Sequence, residues 1–96
     1  MRKLEIINKV SSQTGIDKTD VQETIEATLI TIKEALKEGE SVYIRGFGSF
    51  TIKKRARKIA RNISTNTAII LEAHYIPSFK PAKQFSKRVK EKNKIY

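Results

Sequence analysis

The chain has 96 residues, no cysteine and a single histidine, His74. One domain of modest size is expected at this length; disulfide, thiolate-metal and cysteine-nucleophile chemistry are excluded, and most zinc and triad chemistry loses its histidines. Against 10 Asp and Glu stand 20 Lys and Arg, a net charge of +10, which points to a polyanionic partner and away from catalysis.

Leu4, Ile7 and Val10, with Ile6 beside them, recur at the three-and-four spacing of an amphipathic first helix. Gly15 is its predicted stop, because glycine tolerates the left-handed conformation of a C-cap. Asp17 is the predicted N-cap of a second helix, with Asp20 favourable to the dipole in its first turn. Val21, Ile25, Leu29, Ile32 and Leu36 then make one long stripe that ends at Gly39. Both stripes read as core and not as a binding groove. The opening residues alternate charged and apolar types, without the apolar run or cleavage site of a signal peptide. No stretch approaches the roughly 18 apolar residues that cross a bilayer, so a cytoplasmic protein is expected.

After Gly39 the period falls to two. Val42, Tyr43 and Ile44 suit a strand, Gly46-Phe47-Gly48 a tight turn, and Phe50 and Ile52 open a second strand. Residues 62–67 form a turn-rich segment whose asparagines accept positive φ. Ala68-Ile69-Ile70-Leu71 and His74-Tyr75-Ile76 read as a returning strand, ended by Pro77 and Pro81. Pro81 suits the first turn of a last helix, with Phe85 and Val89 as its short apolar face. The predicted class is α+β: a helix-turn-helix-like pair, an antiparallel sheet with a long β-ribbon arm, and a short C-terminal helix. A hairpin from about residue 51 to 76 is too long for so small a body to cover. Its tip therefore projects into solvent or against a partner.

Charge is unevenly placed. The first 52 residues are close to neutral, whereas Lys53 to Arg61 reads Lys-Lys-Arg-Ala-Arg-Lys-Ile-Ala-Arg without an acid. From Lys80 onward, seven cations face Glu91 alone. Six cations on one strand repel one another, and no packing demand explains them. A duplex removes that repulsion, since it offers about one phosphate charge per 1.7 Å of axis. A two-stranded ribbon also has the width to lie in a DNA groove. Lysines that merely blunt a solvated edge are the plainer reading, but they do not call for so many arginines.

Arg45-Gly46-Phe47-Gly48-Ser49-Phe50 superficially matches an RNA-recognition signature. The match fails at Ser49, where that pattern needs an aromatic, and the two preceding helices are wrong for that fold. No Gly-Lys-Ser/Thr follows the glycines, so they are not a phosphate loop. No acid–base pair or metal cluster is apparent, and neither a cofactor nor a small-molecule substrate is expected.

Gly46-Phe47-Gly48-Ser49-Phe50, the basic arm with Arg61-Asn62 at its tip, and Ile76-Pro77-Ser78-Phe79-Lys80 with Lys83 together resemble the HU and integration host factor family. The likeness runs from the start to about Lys90 and leaves the tail, residues 91–96, outside. It implies one domain over residues 1–96, with its arm at about 53–76, working as an intertwined homodimer. The family is itself a standing example of minor-groove binding with DNA bending, so that mode is implied by the resemblance. Phe47, Phe50 and Phe79 would then belong to the dimer core. Lys53, Arg55, Lys58 and Arg61 would line the arm, and Asn62, Ile63, Ser64 and Thr65 its tip in the minor groove. Gly46, Lys80 and Lys83 would meet phosphates at the body, with Lys3 and Lys87 extending that track.

The implied function is non-catalytic: binding double-stranded DNA largely without sequence specificity, bending it, and contributing to nucleoid compaction. One departure stands at the tip, where Ile63 replaces the proline that the family uses as a wedge. Isoleucine is apolar and able to intercalate, but it is less rigid and keeps an N–H. Its plainer role is to pack across the tip on Ile59 or Ile69. Asn66 takes the place of a glycine, a milder change. The alternatives are a site-specific host-factor-like subunit in a heterodimer and a basic RNA-associated module. A membrane binder is disfavoured, because the apolar face of the last helix is too small.

Overall fold

A computed structural model describes residues 1–95 of the chain. The order is α1 (Lys3–Thr14), α2 (Lys18–Lys37), β1 (Val42–Ile44), β2 (Gly48–Arg55), β3 (Lys58–Asn62), β4 (Thr67–Leu71), β5 (His74–Pro81) and α3 (Lys83–Lys92). This is the expected α+β layout. The chain divides into two compact units, residues 1–35 and residues 36–96.

In the helical unit, Gly15 ends α1 in the left-handed region at φ 76°, and its N–H donates to the Ser11 carbonyl. Thr14 ties the turn by donating to the Val10 carbonyl and accepting from the Ile16 N–H. The next helix begins directly after Asp17, whose carbonyl accepts the Val21 N–H. Along α2, Thr24, Thr28 and Thr31 each return their hydroxyl to the carbonyl four residues earlier, which lets a polar β-branched residue sit inside a helix. Lys3 of α1 donates to Glu26 of α2 at 3.0 Å.

The core reading of these helices holds only in part. Ile7 and Val21 are buried, Ile25, Ile32 and Leu36 are half-buried, and Leu4 and Leu29 are exposed within the single chain. A pair of helices covers one strip of each, and the remainder of an apolar stripe needs a further surface against it.

The second unit holds a three-stranded antiparallel sheet, in the order β1-β2-β5, and a two-stranded ribbon of β3 and β4. Gly46 takes φ 81° in the turn between β1 and β2, where the Phe47 N–H donates to the Ile44 carbonyl. Phe47 in turn accepts the Ala82 N–H, which pins the start of α3 to that turn.

Pro77 does not end the returning strand, and Pro81 closes it rather than opening α3, whose N-cap is Ala82. The reason lies in position and parity. β5 is an edge strand, and Pro77 and Pro81 lie four residues apart, so their missing N–H groups fall on one side. With that side outward, the ladder to β2 loses nothing.

The long hairpin is interrupted once. Pairing of β2 with β5 runs from Gly48↔Pro81 to Arg55↔His74, and β3 with β4 resumes at Lys58↔Leu71 and closes at Asn62↔Thr67. Two residues are left out on each side, so the register is continuous: Ala56 stands opposite Ala73, and Arg57 opposite Glu72. Facing alanines give little cross-strand packing there. The carbonyl of Glu72 is also taken by the Nδ1–H of His74, at 2.8 Å.

Candidate nucleic-acid interface

Alternation along a strand decides which cations share a face. On β2, Lys53 and Arg55 lie on one face with Ile76 and His74 of β5, while Lys54 lies on the other with Tyr75. On β3, Lys58, Ala60 and Asn62 share a face with Leu71, Ile69 and Thr67, and Ile59 and Arg61 share the opposite face with Ile70 and Ala68. The arm residues singled out by sequence therefore do not form one row. Lys58 and Arg61 present charge from opposite sides of the ribbon, so a polyanion could be met on either face. The cross-strand pairs Ile59–Ile70 and Ala60–Ile69 hold the two strands together.

At the tip, the Asn62 carboxamide oxygen accepts from the Ser64 N–H at 3.1 Å and from the Ser64 hydroxyl at 2.8 Å. The Thr65 and Thr67 hydroxyls meet at 2.7 Å, and Asn66 adopts φ 54°, as its asparagine side chain permits. Asn62, Ser64 and Thr65 thus build the turn that displays Ile63. That side chain is 92% exposed, so it packs on neither Ile59 nor Ile69.

At the body of this unit, Gly46, Lys80 and Lys83 line one groove together with Tyr43, Arg45 and Ser49. Gly46 also borders a second groove, shared with Lys87, Arg88 and Glu91. The first turn of α3 opens on these lysines without a side-chain cap, which leaves amide N–H groups for an anion. Lys3 belongs to the helical unit and is engaged by Glu26, whose carboxyl it holds below the usual carboxylate range, helped by Gln22.

The three phenylalanines expected in a dimer core cluster within the single chain. Phe50 and Phe79 face each other across β2 and β5 with centroids 4.8 Å apart, and Phe47 lies 5.2 Å from Phe79. Phe85 joins them, stacked on Phe47 at 5.4 Å, a contact that the sequence does not specify. Its spacing to Val89 marks a helix face but cannot say which aromatic turn that face meets. Phe47 and Phe79 remain substantially exposed in the single chain. In the sequence Arg57 is one of six arm cations, and only the register sets it opposite Glu72.

Among the described residues no helix is long and apolar enough to cross a membrane.

Residues 1–90 match the family model for bacterial DNA-binding protein. The chain is 42% identical over 92 residues to the SPbeta prophage-derived DNA-binding protein HU 2 of Bacillus subtilis, covering 96% of this chain and all of that one. It is 35% identical over 96 residues to the integration host factor subunit beta of Pseudomonas entomophila, covering 99% of this chain and 98% of the relative. Among solved structures, an Anabaena HU–DNA cocrystal structure superposes with a TM-score of 0.88 at 32% identity, covering 93% of this chain and 97% of that one.

Proposed function

This chain belongs to the bacterial DNA-binding protein family, and from that premise we propose that it is a non-catalytic architectural protein of the nucleoid. It binds double-stranded DNA largely without regard to sequence and bends it. The observation that carries this reading is the in-register ribbon, which sets Lys53, Arg55, Lys58 and Arg61 on both faces of a hairpin that extends past the three-stranded sheet. Affinity then comes from phosphate neutralisation and counterion release, and preference from how easily the duplex deforms. At the body, Gly46, Lys80, Lys83 and Lys87 supply further phosphate contacts, and Lys3 extends them if it exchanges Glu26 for DNA.

The working unit is a homodimer. Support comes from the uncovered apolar surface: among the described residues Ile7 and Val21 are the buried large apolar side chains, while Leu29, Ile30, Phe47, Phe79 and Val89 stay exposed. A domain of this size needs more core than that, and a second copy supplies it.

The test is binding of the purified chain to a linear duplex and to the same duplex carrying a nick, across a range of salt. Tighter binding to the nicked duplex with a steep loss of affinity in salt is expected. Equal affinity for both would remove bending from the reading, and salt-insensitive binding would remove the phosphate contacts.

The likeness to an integration host factor subunit over nearly the whole chain favours one second reading, a site-specific subunit that works with a different partner chain. A stable dimer formed by the purified chain alone counts against it.

A further inference from the structure

Glu72 is the one carboxylate that the sequence places between Glu40 and Glu91, across a stretch that holds the whole ribbon and both basic blocks up to Lys90. It stands opposite Arg57 at the level where the ladder is interrupted, and its Oε1 lies 3.8 Å from the guanidinium Nε. Both side chains are open to solvent, at 60% for Arg57 and 76% for Glu72. The pair therefore crosses from strand to strand at a level without ladder hydrogen bonds. On one side of it lie the body strands, and on the other the ribbon.

We propose that Arg57 is a further DNA-contacting residue of the arm, held by Glu72 in the free protein and transferred to a backbone phosphate when the ribbon engages a duplex. The inference rests on the reading of the arm as a DNA-binding element. Three considerations carry it. An exposed ion pair is weak and easily exchanged. A backbone phosphate offers the guanidinium the same forked pair of oxygens as a carboxylate, set in a dense row of like charges. A lone carboxylate inside a cationic stretch also weakens attraction to DNA unless its charge is occupied, and Arg57 occupies it. Once Arg57 leaves, Glu72 stands as an uncompensated negative charge near the phosphates, so it sets a threshold that closure of the arm must exceed.

The test is a double-mutant cycle on the full chain, using Arg57→Gln, Glu72→Gln and both together, with affinity for one linear duplex measured across salt. Arg57→Gln is expected to weaken binding and to reduce the slope of log K against log salt by about 0.9 for each arm that loses one phosphate. Glu72→Gln is expected to tighten binding by roughly two- to fivefold per arm, the scale of an exposed pair. In the Arg57→Gln background the Glu72 substitution should tighten binding clearly less than in the parent, because only repulsion of the phosphates is then relieved and no ion pair is lost from the free protein. Equal tightening with and without Arg57 would show that Glu72 merely repels phosphate, and an unchanged slope in Arg57→Gln would remove Arg57 from the interface; either result overturns the proposal. Failure of the underlying reading looks different, because the parent chain itself would then bind without salt dependence.

Discussion

The ring of Phe79 lies directly over Gly48, so that a Cβ built at position 48 would sit 2.6 Å from its Cε1 and 2.6 Å from the Lys80 carbonyl oxygen. The contact brings β5 onto β2 where Gly48 pairs with Pro81, beside the groove that Gly46, Lys80 and Lys83 line. A backbone carbonyl cannot swing aside as a flexible side chain can. Gly48→Ala should therefore cost about 1–3 kcal/mol, read from urea unfolding at constant m-value. Unfolding unchanged within about 0.5 kcal/mol would show that β5 shifts freely along this edge.

The phenylalanine cluster is half of a core. Phe79→Ala should lower stability by about 2–4 kcal/mol, as large-to-small changes do where a cavity results. If a second copy supplies the missing half, as the homodimer reading has it, the unfolding midpoint of the parent chain should rise with protein concentration. Thermal melts over a hundredfold dilution check this. A midpoint independent of concentration would mean that the exposed Leu29, Ile30 and Phe47 are not covered by a partner.

At the arm tip, Ile63 contributes nothing to its own turn, which Asn62, Ser64, Thr65 and Asn66 complete. Ile63→Ala should leave stability within about 0.5 kcal/mol of the parent and reduce the bend of bound DNA. Energy transfer between dyes at the two duplex ends reads the bend directly. Ile63→Pro should hold or sharpen it, since proline is stiffer in the same place. An identical bend in all three proteins would mean that the tip grips without wedging.

The Lys3–Glu26 pair makes the helical unit pH-dependent in one direction. The hydrogen bond and charge of Lys3 depress the Glu26 carboxyl, with Gln22 assisting. A carboxyl with a folded pKa below its unfolded value adds stability above the unfolded value, and that stability is lost as pH falls through the folded one. The contribution is thus constant through neutral pH and disappears in acid, below the ordinary carboxylate range. A side-chain NMR titration of Glu26 should give a midpoint that moves up toward the ordinary value in Lys3→Met. A midpoint unmoved by that substitution would assign the depression elsewhere.

Local chemistry was readable where it acts alone. Gly15 and Gly39 stop helices because they take positive φ, and the period change after Gly39 marks the passage to strands. The Phe47 turn and the asparagine at Asn66 were legible for the same reason. Burial was not, because the stripe from Val21 to Leu36 states that a surface needs cover without saying whether the same chain provides it. Pro77 misled because proline ends a strand only where its N–H is needed, and whether β5 is an edge is a property of the whole sheet. The interruption at Ala56–Arg57 carries no glycine or proline signal, since it arises from what stands opposite. The cationic set of the arm was legible as charge, yet its division between two faces of the ribbon required the register.

The continuous register across the interruption ties the two strands of the hairpin to a common length. Deleting Ala56 alone would slip every pair beyond it by one and turn the side chains of one distal strand to the other face. Removing Ala56 together with Ala73 would keep the pairs but rotate the whole distal ribbon by half a pleat, bringing Lys58 to the side that Arg61 now serves. The reach of this arm can therefore be tuned without changing its facing only in steps of two residues on each strand, which makes its length a quantised property of the molecule.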